Sequence, residues 1–149
     1  MTDIVDSATR SRMMSKIKGK NTKPEIMVRS ALHQEGYRFR LHRKNLPGKP
    51  DIVLPKYRAA IFVNGCFWHG HGCSLFKWPK TREEFWKEKI NANINRDQRN
   101  QAQLADLGWR VCIVWECSIR GKSSQTQSEK LVELFEWLKS EALFAEIYE

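Results

Sequence analysis

The sequence predicts an α/β domain, a mixed sheet covered by helices on both faces. Three observations carry this reading. Helical and strand-like periodicities follow one another in the order α, α, β, β, β, loop, α, β, α. The segments Asp51–Leu54, Arg58–Val63 and Trp109–Trp115 are short, nearly unbroken apolar runs, as central strands are. The length, 149 residues with 41% hydrophobic and 29% charged, suits one core. A mean hydropathy of −0.60 and the lack of any apolar run near ~18 residues argue against a membrane protein.

Each element has a local cause. Residues 1–19 form a basic arm in which Met13, Met14 and Ile17 are spaced like a short helix. Asn21-Thr22 caps the next helix, with Pro24 and Glu25 in its first turn, a stripe of Ile26, Val28, Ala31 and Leu32, and Gly36 as its stop. Tyr37–His42 alternates as a half-exposed strand does, and Leu46-Pro47-Gly48-Lys49-Pro50 is a turn. Pro55-Lys56-Tyr57 joins the next two strands. Thr81-Arg82-Glu83-Glu84 reads as a capping box opening a helix to about Leu107, ended by Gly108. Thr126-Gln127-Ser128-Glu129 reads as a second box, before a helix with Leu131, Leu134, Phe135 and Leu138 on one face.

Charge narrows the class of partner. Residues 1–60 hold 14 basic and 5 acidic side chains, which is the whole net charge of +9, and residues 61–149 hold 12 of each. A basic half points to a polyanion, most often nucleic acid. No apolar stretch marks a secretion signal, so the four cysteines are expected in a reducing compartment, as metal ligands or buried thiols.

The segment 64–79 breaks all periodicity. Cys66-Phe67-Trp68-His69-Gly70-His71-Gly72-Cys73 places two thiols and two imidazoles within eight residues, and Cys117 follows a buried strand that can return to the same loop. Cys66, Cys73, Cys117 and one histidine make the four N/S ligands of a structural Zn²⁺. Spacing does not choose between His69 and His71. Cys112 lies inside a strand and reads as a buried thiol. Asp51, at the head of an apolar strand, is a candidate Mg²⁺ ligand, with Glu25, His69 and Asp97 as candidate helpers. Phe67, Trp68, Trp78 and Trp86 gather in or after the loop, where aromatic wedges can unstack a base step.

These residues resemble the very short patch repair (Vsr) endonucleases. The resemblance runs from Ala8-Thr9-Arg10-Ser11 to Ile119-Arg120-Gly121. It includes Leu46–Asp51, Gly65-Cys66-Phe67-Trp68-His69, Leu75-Phe76-Lys77, Thr81-Arg82, Glu84, Arg96-Asp97, Gly108-Trp109-Arg110-Val111 and Val114-Trp115-Glu116-Cys117. It implies a restriction-endonuclease-like α/β/α domain over residues 21–149, with residues 1–20 as a DNA-contacting arm. It implies a Mg²⁺-dependent endonuclease that nicks 5′ of the mispaired T in a T:G mismatch left by deamination of 5-methylcytosine.

By resemblance, Asp51 and the backbone carbonyl of Val63 hold Mg²⁺, His69 activates water, and Glu25 and Asp97 support the site. Cys66, His71, Cys73 and Cys117 hold the zinc. Phe67, Trp68 and Trp86 enter the major groove, while Met14 inserts from the minor groove with the arm. Ile17 can act beside Met14, and Arg10, Arg12 and Lys16 hold phosphates. The implied partners are mismatched duplex DNA, a cytosine-5 DNA methyltransferase system and mismatch-repair proteins. The expected state is a monomer in the bacterial cytoplasm, at the nucleoid when acting.

The sequence departs from the family pattern at Val63-Asn64, where Thr-His is expected. Asn64 can orient water or phosphate but cannot titrate. We expect activity to survive with His69 as the principal base. Phe62-Val63-Asn64 also stands where related nucleases carry an acidic-x-Lys triplet. Rival readings are a non-catalytic zinc module for distorted DNA, a sequence-specific endonuclease of the same fold, and a single-stranded RNA binder.

Overall fold

The computed structural model describes residues 21–149. The expectations for the basic arm, including Arg10, Arg12, Met14, Lys16 and Ile17, lie outside the described residues. The described chain forms one five-stranded sheet with helices on both faces; the periodicities predict the layers and four of the strands.

Helix α1 (Lys23–Gln34) starts at Thr22, whose side chain accepts a hydrogen bond from the Glu25 amide. It ends as Gly36 predicts: the Gly36 amide donates to the His33 carbonyl and the Tyr37 amide to Leu32, both at 3.0 Å. Its buried face is Glu25, Val28 and Leu32, whereas Ile26, expected in the apolar stripe, is exposed. The expected strand Tyr37–His42 shrinks to β1 (Arg40–Leu41), both residues exposed at the sheet edge.

Strands β2 (Ile52–Leu54) and β3 (Ala59–Asn64) pair antiparallel through the Pro55–Tyr57 turn. Helix α2 (Glu83–Asp106) then crosses over to β4 (Arg110–Trp115), which lies parallel to β3. The expected box at Thr81 does not form. Arg82 is the N-cap, in the left-handed region and without a side-chain capping bond. Helix α3 (Ser124–Lys139) begins before the expected Thr126 box, because Ser123 caps it by accepting from the Thr126 amide. A strand absent from the expected order, β5 (Phe144–Ile147), extends the sheet parallel to β4.

The strands sort their side chains by alternation. Ala59, Ile61, Cys112 and Val114 face Val28, Leu32, Leu134 and Trp137 of α1 and α3. Ala60, Val111, Ile113 and Trp115 face Leu104 of α2 and the Cys66–Cys117 region. Arg110 ties off α3: its guanidinium donates to the carbonyls of Trp137 at 2.6 Å, Ser140 and Ala142 at 3.0 Å, and Leu138 at 3.3 Å. None of the described helices is long and apolar enough to cross a membrane.

Candidate active site and metal centre

Two neighbouring centres form where β2, β3 and β4 meet the loop after β3. The first is built on Asp51. Antiparallel pairing of β2 with β3 brings Asp51 opposite the far end of β3, where its Oδ2 accepts from the Val63 amide at 2.8 Å. Burial pushes the Asp51 carboxyl up from its ordinary 3.8 to about 6, and the Glu25 carboxylate pushes the same way. The Val63 amide, His42 and His69 pull it back down. A half-buried carboxylate that resists ionisation alone suits a cation ligand.

Glu25, from α1, is almost wholly buried. Its Oε2 meets His42 Nε2 at 2.8 Å and accepts from Arg29 Nη1 at 3.0 Å. Ligand atoms of Glu25, His42 and Asp51 all lie within 4.8 Å of one another, a grouping that could hold a metal ion. The sequence reading passed over His42. A histidine directly across a turn from an aspartate that heads a strand was the available signal.

On the other side of Asp51, His69 Nδ1 donates to Asp97 Oδ2 at 2.5 Å. The pair joins the loop to the inward face of α2, where Ile90, Asn93 and Asp97 recur at helical spacing. With Nδ1–H given to Asp97, Nε2 is left as a proton acceptor. Asn93, a second omission of the sequence reading, donates to the Trp68 carbonyl at 2.8 Å and fixes the loop. Gly70 permits the close approach. It sits at φ +62°, and a Cβ there would lie 2.5 Å from Ile94 Cδ1 and 2.8 Å from Ile90 Cγ2. Asn64 closes β3, buried, opposite Trp115 of β4.

The second centre is the cysteine–histidine cluster. Ligand atoms of Cys66, His71, Cys73 and Cys117 lie within 4.8 Å of one another, and Cys117 Sγ is 3.6 Å from His71 Nδ1. Tetrahedral Zn–S bonds of ~2.3 Å place sulfurs about 3.8 Å apart, so the donor set fits. His71 stacks on Trp115 with ring centres 4.1 Å apart and planes 5° apart. Burial lowers its pKa against the opposing pull of Glu146 and Glu149, which favours the neutral, ligating form. Burial raises the Cys66 and Cys117 thiols, so a cation is what would stabilise their thiolates. Cys112 stands apart in the sheet, its thiol pushed up to about 12 by burial, as a buried thiol should be.

The expected wedges share one surface. Phe67, Trp68 and Trp86 are half-buried and mutually packed, with ring centres 5.2 to 5.8 Å apart. Trp78, beside Phe76, is exposed.

The sequence is similar to those of known proteins. Residues 2–75 match the family described as DNA mismatch endonuclease Vsr. The Type II nicking enzyme V.XorIIP of Xanthomonas oryzae pv. oryzae is 56% identical over 119 residues, covering 80% of this chain and 88% of its own. The DNA mismatch endonuclease Vsr of Escherichia coli K12 is 47% identical over 147 residues, covering 99% and 94%. The Type II nicking enzyme V.NmeAIP of Neisseria meningitidis is 46% identical over 123 residues, covering 83% and 88%. On the strength of that match across nearly its whole length, the chain belongs to the Vsr family of DNA mismatch endonucleases, and it is an endonuclease of restriction-endonuclease-like fold.

Proposed function

We propose that this endonuclease nicks one strand of duplex DNA 5′ of the mispaired T in a T:G mismatch, by Mg²⁺-dependent hydrolysis that leaves a 3′-hydroxyl and a 5′-phosphate. The observation that carries the reading is the placement of Asp51 and the His69–Asp97 pair beside one aromatic surface. Asp51 and the Val63 carbonyl would hold Mg²⁺, which when bound neutralises charge on the scissile phosphate. His69 takes the proton of the attacking water at Nε2, while Asp97 holds the ring and stabilises the imidazolium. Glu25 and Asn64 orient water and phosphate. Phe67, Trp68 and Trp86 test the base step, since a mismatch unstacks at lower cost. Cys66, His71, Cys73 and Cys117 hold a structural Zn²⁺, which fixes the loop bearing His69 and the wedges. The protein acts in the bacterial cytoplasm, downstream of a cytosine-5 DNA methyltransferase.

A nicking assay on end-labelled duplexes differing in one T:G or T:A pair tests the reading. A Mg²⁺-dependent nick beside the mispaired T, lost in Asp51→Ala, is expected. Equal cleavage of the T:A duplex would favour a sequence-specific nicking enzyme instead, a reading that the nicking-enzyme relatives support. Mismatch binding without a nick would favour the non-catalytic module. Activity is expected to survive with Asn64 in place and His69 as the principal base, and a gain of several hundredfold in Asn64→His would show that position 64 carries a larger part of the chemistry.

A further inference from the structure

We infer that His42 is a second protein ligand of the cation at Asp51, and that its imidazole makes the site favour Mn²⁺-type first-row ions over Mg²⁺. The inference rests on the proposal that Asp51 binds a cation and adds the residue that sets which one.

Register places the two residues together. Leu41 pairs with Ile52 across the antiparallel β1–β2 ladder, so His42 and Asp51 are the next opposed pair. The His42 amide donates to the Asp51 carbonyl at 3.0 Å. His42 lies just beyond the paired register, at φ +49°, so its ring is placed by its own contacts rather than by strand alternation. Ligand atoms of Glu25, His42 and Asp51 lie within 4.8 Å of one another, and with Nε2 engaged by Glu25 it is His42 Nδ1 that is left for an ion shared with Asp51.

The surroundings of the ring are those of a metal-binding histidine. A ligating imidazole almost always gives its other ring N–H to a carboxylate, which sets the tautomer and raises the basicity of the ligand nitrogen. Glu25 plays that part: its Oε2 holds His42 Nε2 at 2.8 Å. Glu25 is itself held by Arg29 at 3.0 Å. The guanidinium offsets the Glu25 charge, so Glu25 is suited to orient the ring while Asp51 supplies the anionic ligand.

Ligand chemistry then sets selectivity. Mg²⁺ prefers oxygen and keeps most of its water. Ions further along the first row gain more from an imidazole nitrogen. Removing the ring should therefore cost Mn²⁺ and leave Mg²⁺ almost untouched.

The test is metal binding by zinc-loaded protein without DNA, with free Mn²⁺ followed by electron paramagnetic resonance and Mg²⁺ by calorimetry. We expect His42→Gln, which keeps a hydrogen bond to Glu25, to weaken Mn²⁺ at least tenfold and Mg²⁺ less than threefold. Glu25→Gln, which leaves the ring in place, should weaken Mn²⁺ by a smaller factor and covers the case in which the first variant fails to fold. Unchanged Mn²⁺ binding, or equal losses for both ions, would overturn the inference and leave His42 as a support for Asp51. Asp51→Asn separates the two claims. If it leaves both ions bound as before, the cation site of the proposed function fails, whatever His42 does.

Discussion

Replacing Asp51 by Asn should stabilise this protein when Mg²⁺ is absent. The carboxyl is held at about 6 in the folded chain against an ordinary 3.8, chiefly by burial. Below pH 3.8 the group is protonated in both states and contributes its full share of stability. Between 3.8 and about 6 only the folded state keeps the proton, so stability falls as pH rises. Above about 6 the loss is complete. A difference of about two units at ~1.36 kcal/mol each gives about 3 kcal/mol, an order-of-magnitude figure. Asn has nearly the same shape, and its carbonyl can accept from the Val63 amide as Asp51 Oδ2 does at 2.8 Å. The assay is urea unfolding of zinc-loaded protein in Mg²⁺-free buffer from pH 4.5 to 8. The variant should gain on the wild type steadily across this range and level off near pH 7. A variant no more stable than wild type at pH 8 would refute the claim that burial opposes the charge.

Three further outcomes follow from the geometry. Arg110→Met should cost at least about 2 kcal/mol in chemical denaturation while metal content stays normal, because the carbonyls at the end of α3 lose their charged donor. Gly70→Ala should lower stability by about 1–3 kcal/mol through overlap with Ile90 and Ile94, and zinc retention in a chelator challenge should fall with it. Cys117→Ala should reduce bound zinc, measured by elemental analysis, whereas Cys112→Ala should leave it at one per chain, since only Cys117 reaches the cluster.

Much of this was legible because the signals are local. Gly36 and Gly108 end their helices as their positions imply, with Trp109 repeating the bond pattern of Tyr37. The density of thiols and imidazoles in 66–73 pointed to a candidate metal loop, and the structure brings Cys117 to it. The start of α3 differs from expectation because Ser123, Ser124, Thr126 and Ser128 compete as caps and Ser123 wins, whereas α2 starts at Arg82 in the left-handed region with no side-chain cap at all. Strand β5 is short, with Phe144 exposed, so its two-residue period is too weak to see before β4 supplies a partner. His42 and Asn93 look like surface polar residues until the folded chain sets Glu25 and the Trp68 carbonyl beside them.

The metal centre also has a consequence for how the protein is made. Three of its candidate ligands lie in one short loop, but the fourth, Cys117, stands 46 residues beyond His71 and follows directly on β4. During synthesis from the N-terminus, the loop emerges well before its last thiolate. Until β4 docks beside β3, a captured ion has an open fourth position and exchanges readily. If the cluster holds zinc as proposed, tight retention of the ion would report that the central parallel pairing has formed. An ion there would also tie down the loop that carries His69, so a chain with an unfinished sheet would lack a fixed His69–Asp97 pair.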